Sequence, residues 1–560
     1  MARLPVVGAW LLVLAWLVPN HYPPWVASHS EIVAGASAGM FALAVLQQRL
    51  ARTGTVAWPA VLLGLLCAVP LLQLAAGQIR YFGDAWVSTL YLAITAVAVA
   101  SGTRIAAPDV DDWSRTFATA VLTGAMLSML LALWQRFDVE LGALSLFVVE
   151  MRPGYAPGAN LAQPNQLATL LGLGLAALML LFERRHIGAA TALAAAALIA
   201  ATMALTQSRT PLLLFLCATP LLLTLRRRLA LRTRPTTMAG LFAFWAGAYL
   251  AWTPLADLLH LLPMKATLAS RAQAGPRTVL WQQMIEAIGQ QPWAGYGWNQ
   301  VSLAQMSVLE KYPNSHLLEY SHNMLLDLAA WNGVPVTLLI MGLGLWWLWR
   351  AHARVRSPAG AFGLMIVVLL LTHAMVEFPL AYLYYLVPFA LAIGLVEVDA
   401  DMAPGVAMPR LVAPVAVASL WVAMVAAAMD YVRLEGVWRE MRFTVARIGR
   451  PMVDKPPPLL DTMFTQFAAQ HRAWLTTPKP GMNSDEVNEL VAITERYGYA
   501  PLLYRSALAL ALNGDIEGGR RMLRRLANVH LPVYHATALG EIRSLADSEY
   551  PVLRALLPTP

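Results

Sequence analysis

The sequence predicts an all-α polytopic membrane protein, and three observations carry that prediction. Apolar runs recur along roughly the first 430 positions, each near the ~20 residues a helix needs to cross ~30 Å of hydrocarbon. Charged residues make up 13% of the 560-residue chain, about half the roughly 25% of an ordinary soluble protein. Arginines gather in alternate loops between the apolar runs, the pattern that sets membrane orientation. The net charge of +8 follows from that placement and calls for no nucleic-acid partner. Cys67 and Cys217, the two cysteines, both lie inside apolar runs. They form neither a disulfide framework nor a thiolate metal site.

Taken in order, the spans read near 4–19, 31–47, 56–76, 85–101, 115–135, 164–182, 187–205, 210–225, 236–256, 323–349, 360–376, 380–397 and 411–429, about 13 in all. The first is followed by Pro19, Asn20 and His21 rather than a small-residue cleavage site, so it reads as a span and not a signal peptide. Alternate loops hold Arg49 and Arg52, then Arg104 and Arg115, then Arg184 and Arg185. The series continues with Arg226 to Arg228, Arg232 and Arg234, and ends with Arg350, Arg354 and Arg356. A cytoplasmic N-terminus puts all of these inside and the C-terminal tail outside. The opposite loops, including 20–30, 77–84, 136–163, 206–209, 257–322 and 377–379, are richer in aromatic and polar residues.

Beyond about 430 amphipathic stretches replace the apolar runs. The chain therefore divides into a membrane domain, 1–429, carrying a large outer loop at 257–322, and an outer helical domain, 430–560. Lys455 to Pro458 reads as a linker. The stretch 488–526 has helical periodicity with a break at Asn513-Gly514, and resembles a helical hairpin of the tetratricopeptide kind. A small helical cap with no activity of its own is the alternative.

The most informative stretch is EYSHNMLLDLAAWNG, 319–333, which ends a polar loop and opens an apolar helix running to about Trp349. Ser321, His322 and Asn323 sit where loop becomes membrane helix, and Asp327 lies about one turn further in. Ser or Asn there can cap the free N–H groups of the helix. A neutral imidazole at a membrane surface suits a general base; an interfacial capping histidine is the plainer reading. Arg209, in TQSRTP, and Arg277, which opens RTVLWQQMIEAIGQQPWAGYGWNQ, fall on the outer face. Two guanidinium forks can hold a diphosphate, although each can also be a snorkelling surface arginine.

Gln163, Asn165 and Gln166 stand at the mouth of a span, in GANLAQPNQLAT. Amides both donate and accept, which suits sugar hydroxyls. Glu377, in VEFPLAYLYY, opens a span followed by Tyr382, Tyr384 and Tyr385, where it can neutralise an arginine or position an acceptor hydroxyl. P-loop, HExxH and GxSxG motifs are absent from the sequence. Asp109, Asp111 and Asp112 are predicted to be cytoplasmic, which leaves no outer acidic pair for a metal. An outer-surface enzyme without ATP needs an activated donor. A lipid-linked sugar diphosphate fits, because arginines stabilise the charge of a departing diphosphate.

In order along the chain, SRT, the R…W…P-x-A-G-Y-G loop and SHNMLLDLAAWNG resemble the superfamily of O-antigen ligases and polymerases. Within it, PPW with Glu31, QPNQLATLL and VEFPLAYLYY are similar to the bacterial O-linked protein glycosylation ligases, or pilin-type O-oligosaccharyltransferases. The resemblance spans about 1–400. It implies a membrane-embedded transferase of the glycosyltransferase class C type, inverting and independent of metal or cofactor. Such an enzyme moves a glycan from an undecaprenyl-diphosphate carrier to Ser or Thr of an exported protein such as pilin, at the periplasmic face of the inner membrane. The motif match makes His322 the catalytic histidine and gives the donor diphosphate to Arg209 and Arg277. It sets Gln163 in a substrate-binding polar motif, which Asn165, Gln166, Glu377 and Tyr384 join as candidates.

One departure stands out: the family often has a second glycine three residues after Gly333, and here Val334, Pro335 and Val336 follow. The same chemistry on a lipid A core sugar or a growing O-antigen chain is one alternative. A polyprenyl-glycan transporter is another, although the sequence has no visible internal symmetry of the transporter kind.

Orientation is directly testable. The sequence puts 226–235 and 350–358 inside, and 257–322 and 430–560 outside. In a background lacking Cys67 and Cys217, a cysteine at position 310 is expected to react with an impermeant thiol reagent on intact cells, and one at position 354 is not. Labelling at 354 reverses the orientation.

Overall fold

A computed structural model of the chain describes residues 3–47, 55–139, 142–151, 154–259, 261, 277–313, 316–402, 405–409, 411–445 and 461–558. Arg49, Arg52, positions 262–276 of the loop expected on the outer face and the linker expected at 455–458 lie outside the described residues. The helices, in order, are α1 (Arg3–Leu17), α2 (Ser28–Gln47), α3 (Trp58–Leu66), α4 (Ala68–Ala75), α5 (Phe82–Ala106), α6 (Val110–Phe137), α7 (Pro164–Glu183), α8 (Ala189–Leu205), α9 (Thr210–Leu229) and α10 (Pro235–Leu258). Next come α11 (Arg277–Gln290) and α12 (Val301–Val308). Then come α13 (Met324–Arg354), α14 (Pro358–Ala374), α15 (Leu383–Asp399) and α16 (Val412–Val445). The C-terminal region holds α17 (Thr465–Leu475), α18 (Ser484–Tyr497), α19 (Ala500–Leu512), α20 (Ile516–Val529) and α21 (Pro532–Ser548).

Every predicted span is helical. Among the described residues eight helical segments are long and apolar enough to cross a membrane, and α1, α8 and α14 are shorter apolar helices. The protein is an all-α polytopic membrane protein. The run at 56–76 divides at Cys67 into α3 and α4, where Pro70 stands in the first turn of α4 and needs no N–H partner. Past the expected end at 429, α16 continues to Val445, since polar residues such as Asp430 and Arg433 end an apolar run without ending a helix.

The chain forms two compact units, and the first comprises Met1–Cys67, Leu90–Ala272 and Gly342–Ala426. In it α1 packs on α2 and α6, α6 on α7, and α14 on α7, α9 and α15. Around them runs one continuous core that includes Trp16, Phe41, Trp113, Phe117 and Phe362. Most of α7 is buried. Where α5 meets α15 the backbones touch: a Cβ on Gly394 would lie 2.6 Å from the Thr103 nitrogen and 2.7 Å from the Val99 oxygen. Membrane helices gain contact this way, because lipid supplies no hydrophobic force between them. Thr55 and Val56 pair antiparallel with Ala407 and Val406.

The second unit comprises Ala68–Thr89, Gln273–Met341 and Ala427–Pro560. Its central feature is a break in α13 at Gly333, whose φ is 76° and ψ 169°. In an unbroken helix Ala330 O would accept from Val334 N, and Trp331 O from residue 335. Residue 335 is proline and has no N–H to give. The segment 292–297 answers the freed groups: Tyr296 N donates to Ala330 O at 2.7 Å, Gly297 N to Trp331 O at 3.1 Å, and Val334 N to Pro292 O at 2.7 Å. Gln73 Nε2 adds a bond to Trp331 O at 2.9 Å while its Oε1 accepts from Trp298 N at 2.9 Å. The proline two residues after Gly333 thus has a physical role, while nothing in the structure explains Val336, where the family often has glycine. Pro335 opens the second half of the helix and leaves a carbonyl for the PWAGYG loop.

In the C-terminal part, α18 begins with a capping box of Asn483 and Glu486 and ends at Gly498, whose φ is 57°. Pro501 then stands in the first turn of α19. The single helix read before Asn513 is therefore two, because a left-handed glycine followed by a helix-opening proline ends one helix and starts another. Residues Ala507, Ala511, Leu523 and Leu526 form the core between α19 and α20.

Gly333 admits no side chain: a Cβ there would stand 2.3 Å from the Trp293 oxygen, and its backbone conformation is nearly exclusive to glycine. Gly333→Ala is expected to lower stability by at least about 1–3 kcal/mol, read as thermal unfolding in detergent. Gly342→Ala, where nothing lies within 4 Å, should be neutral or stabilising by up to about 1 kcal/mol. Equal effects from the two would remove the break from its structural role.

Candidate active site

His322 occupies a turn held from both sides. Asn323 caps α13, its Oδ1 accepting from Leu325 N at 3.0 Å and Leu326 N at 3.2 Å. Ser321 is fully buried. Its N–H donates to Asp327 Oδ1 at 2.7 Å and its carbonyl accepts from Trp281 Nε1 on α11 at 3.1 Å. With its neighbours so fixed, His322 adopts φ 58° and is half-buried. Left-handed backbone costs a non-glycine residue about 1–3 kcal/mol and is often kept where a side chain has a task. Histidine is among the residues that tolerate it best. The buried Asp327 lies within electrostatic reach of His322, so an imidazolium formed there would have a carboxylate nearby.

The first unit gathers a separate set of polar residues at the mouth of α7. Asn165 bridges two motifs: its Nδ2 donates to Glu377 Oε1 at 2.7 Å and its Oδ1 accepts from Ser208 Oγ at 2.7 Å. Ser208 also accepts from Thr210 N at 3.0 Å, and so ties the start of α9 into the set. One turn deeper Thr169 Oγ1 and His373 Nδ1 share a 2.7 Å bond. Gln166 is 1% exposed, and among the described residues neither of its amide atoms has a hydrogen-bond partner, which is uncommon for a buried amide. Glu31 Oε2 accepts from Leu383 N at 2.6 Å, so the PPW motif meets the tyrosine motif at the head of α15.

The two arginines share a position type. Arg209 is the N-cap of α9 and Arg277 the first residue of α11, and both are exposed. A cation at the positive end of a helix forgoes the ~0.3–1 kcal/mol that an anion gains there, and free N–H groups at the same end bind phosphate. The residue before Arg209, beyond Ser208, is also left-handed: Gln207 has φ 49°.

Placement of the sequence candidates is uneven. Asn165 and Glu377 meet directly. Gln163 is the half-buried N-cap of α7. Tyr384 is 4% exposed and stacked on Tyr382 at 4.8 Å, which puts it in the core beneath the mouth. Arg277 and His322 share the second unit, while Arg209 and the amide motif belong to the first. Ser208, Thr169 and Trp281 lie inside motifs quoted from the sequence but were given no role there, and His373 and Gln73 were not singled out at all.

Asn165 supplies a reciprocal test. In Asn165→Asp an acceptor replaces the donor facing Glu377, with an expected cost of about 1–3 kcal/mol. Adding Glu377→Gln restores a donor between the positions and should recover at least half of the loss in thermal unfolding. A double variant no better than the single one would separate the two residues.

Three family models match the chain in succession. One described as protein glycosylation ligase covers 157–182, O-antigen ligase covers 194–341, and virulence factor membrane-bound polymerase, C-terminal, covers 361–539. A protein of Acinetobacter baylyi named General O-oligosaccharyltransferase is 26% identical over 97% of this chain and 95% of its own length. Another from the same organism, named ComP-specific O-oligosaccharyltransferase, is 26% identical over 58% of this chain and 59% of its own length. The amide motif lies within the first model and Arg209, Arg277 and His322 within the second. The chain is thus similar along nearly its whole length to an O-oligosaccharyltransferase, and in its membrane part to the O-antigen ligase and protein glycosylation ligase models.

Proposed function

We propose that the protein is an O-oligosaccharyltransferase of the bacterial inner membrane. It moves a glycan from an undecaprenyl-diphosphate carrier to Ser or Thr hydroxyls of exported proteins, pilin-like ones among them, at the periplasmic face. The observation that carries the reading is the His322 turn, a left-handed histidine fixed by Asn323, Asp327 and Trp281 at the head of an apolar helix. His322 takes the proton of the acceptor hydroxyl as its oxygen attacks the anomeric carbon. The bond from that carbon to the diphosphate breaks on the opposite face, and the configuration inverts. Arg209 and Arg277 hold the departing diphosphate and stabilise its charge, so that no metal is needed. Asp327 accepts from the Ser321 N–H and so holds the turn that presents His322.

Gln163, Asn165 and Gln166 contact donor or acceptor hydroxyls, with Glu377 orienting Asn165 and Tyr384 supporting the mouth from below. The helical domain at 430–560 is periplasmic. A second acceptor class draws support from the O-antigen ligase match over 194–341: there the same transfer ends on a sugar hydroxyl of lipid A core or of a growing glycan.

Purified protein incubated with lipid-linked glycan and either acceptor, with products read by mass spectrometry, decides between them. Transfer to protein in excess chelator is expected; transfer to the sugar acceptor alone overturns the protein assignment. In the same assay His322→Ala, His322→Gln and His322→Asn should each lose about a hundred- to ten-thousandfold in rate while still binding donor. The asparagine variant is the sharpest, because asparagine tolerates the left-handed backbone yet does not titrate near neutral pH. A rate within tenfold of wild type in that variant would sink the catalytic assignment.

A further inference from the structure

We infer that Arg496, in the C-terminal helical region, is a positioning residue for the turn that carries His322; this rests on the reading of His322 as the transfer base. Arg496 lies at the end of α18 and makes a forked pair with Asp84 at the start of α5, 412 residues away: Nε to Oδ2 at 2.9 Å and Nη2 to Oδ1 at 3.1 Å. Their side chains are only 13% and 6% exposed. Burial opposes the guanidinium charge, but the Asp84 carboxylate beside it outweighs this and raises the arginine above its ordinary value. The pair also grips the outer loop. Arg496 Nη1 donates to Ser302 Oγ at 3.1 Å, Ser302 Oγ donates to the Arg496 carbonyl at 2.5 Å, and Gln300 Nε2 donates to Asp84 Oδ2 at 3.3 Å.

Ser302 is in the first turn of α12, and from that helix buried amides lead to both proposed catalytic elements. Gln305 is fully buried. It donates to Gln283 Oε1 on α11 at 3.1 Å and to His316 O at 2.9 Å, and accepts from Leu318 N at 3.2 Å. Gln283 in turn donates to Tyr312 O at 2.5 Å. The helix opened by Arg277 and the strand of loop leading to His322 are thus both hung on α12, and the Arg496–Asp84 fork fixes where α12 begins. A forked pair sets angle as well as distance. Without it α12 keeps its apolar contacts and loses its registration.

The test uses the full-length protein in detergent with two readouts, amide hydrogen exchange and transfer kinetics. In Arg496→Gln, exchange across 301–323 is expected to rise at least tenfold while 110–229 exchanges as in wild type. The transfer kcat should fall at least tenfold and the acceptor KM stay within threefold. Asp84→Asn with Arg496→Gln leaves no unpaired buried charge and should return exchange to within threefold of wild type. Arg496→Lys keeps the charge without the fork; a threefold rise in exchange with a matching fall in kcat is expected, and it carries the test if the glutamine variant does not purify. Unchanged exchange at 301–323 overturns the inference, as does looser exchange with wild-type kcat. Retained transfer in His322→Asn would instead overturn the reading of the site, and the exchange result would still show whether Arg496 orders the loop.

Discussion

The second unit depends on a broken helix whose freed Ala330 and Trp331 carbonyls and Val334 N–H find partners elsewhere in the chain. A membrane helix that stops bonding to itself has no water to turn to, so the break at Gly333 requires donors supplied from elsewhere in the chain. The loop at 292–297 supplies two of them and takes one N–H in return, and Gln73 completes the set. The two positive-φ glycines of that loop, Gly295 and Gly297, permit the approach. This arrangement fixes the loop between α11 and α12 against the helix that His322 opens.

The polar residues follow the same economy of helix ends. Asn323 and Ser208 each satisfy free N–H groups at the head of a helix, and a neighbouring residue is left in a left-handed conformation. Arg209 and Arg277 stand at helix N-termini, where their charge is locally unfavourable and an anion is welcome. Both features concentrate cost at positions where the proposed chemistry needs a base and two diphosphate ligands. Asn165 shows how tightly such a mouth is specified: one amide reads a carboxylate with its nitrogen and a hydroxyl with its oxygen.

The C-terminal helices enter the same network by way of Arg496 and Asp84. A surface ion pair contributes little to stability, but a buried fork fixes orientation. In the second unit it joins α18 to the helix that suspends the His322 loop, so a region that reads as an appendage in sequence is linked through α12 to the loop that carries the proposed base.

Much of this was legible in the sequence, because hydrophobic length and cap chemistry are local. The apolar runs gave the helices, and SHNMLLD announced a capped helix mouth that Asn323 does cap. The ordered motifs pointed to the superfamily. What the sequence left open was every relation between distant residues. Pro335 had no visible purpose until its missing N–H was set beside Gly297. Gly498 looked like part of a continuous helix until its positive φ ended it. Gln73 and Arg496 are ordinary residues in ordinary stretches, and the partners that matter, Trp331 and Asp84, lie 258 and 412 residues away. Composition and periodicity report which surfaces are buried, whereas hydrogen-bond partners are set by which helix ends the tertiary fold brings side by side.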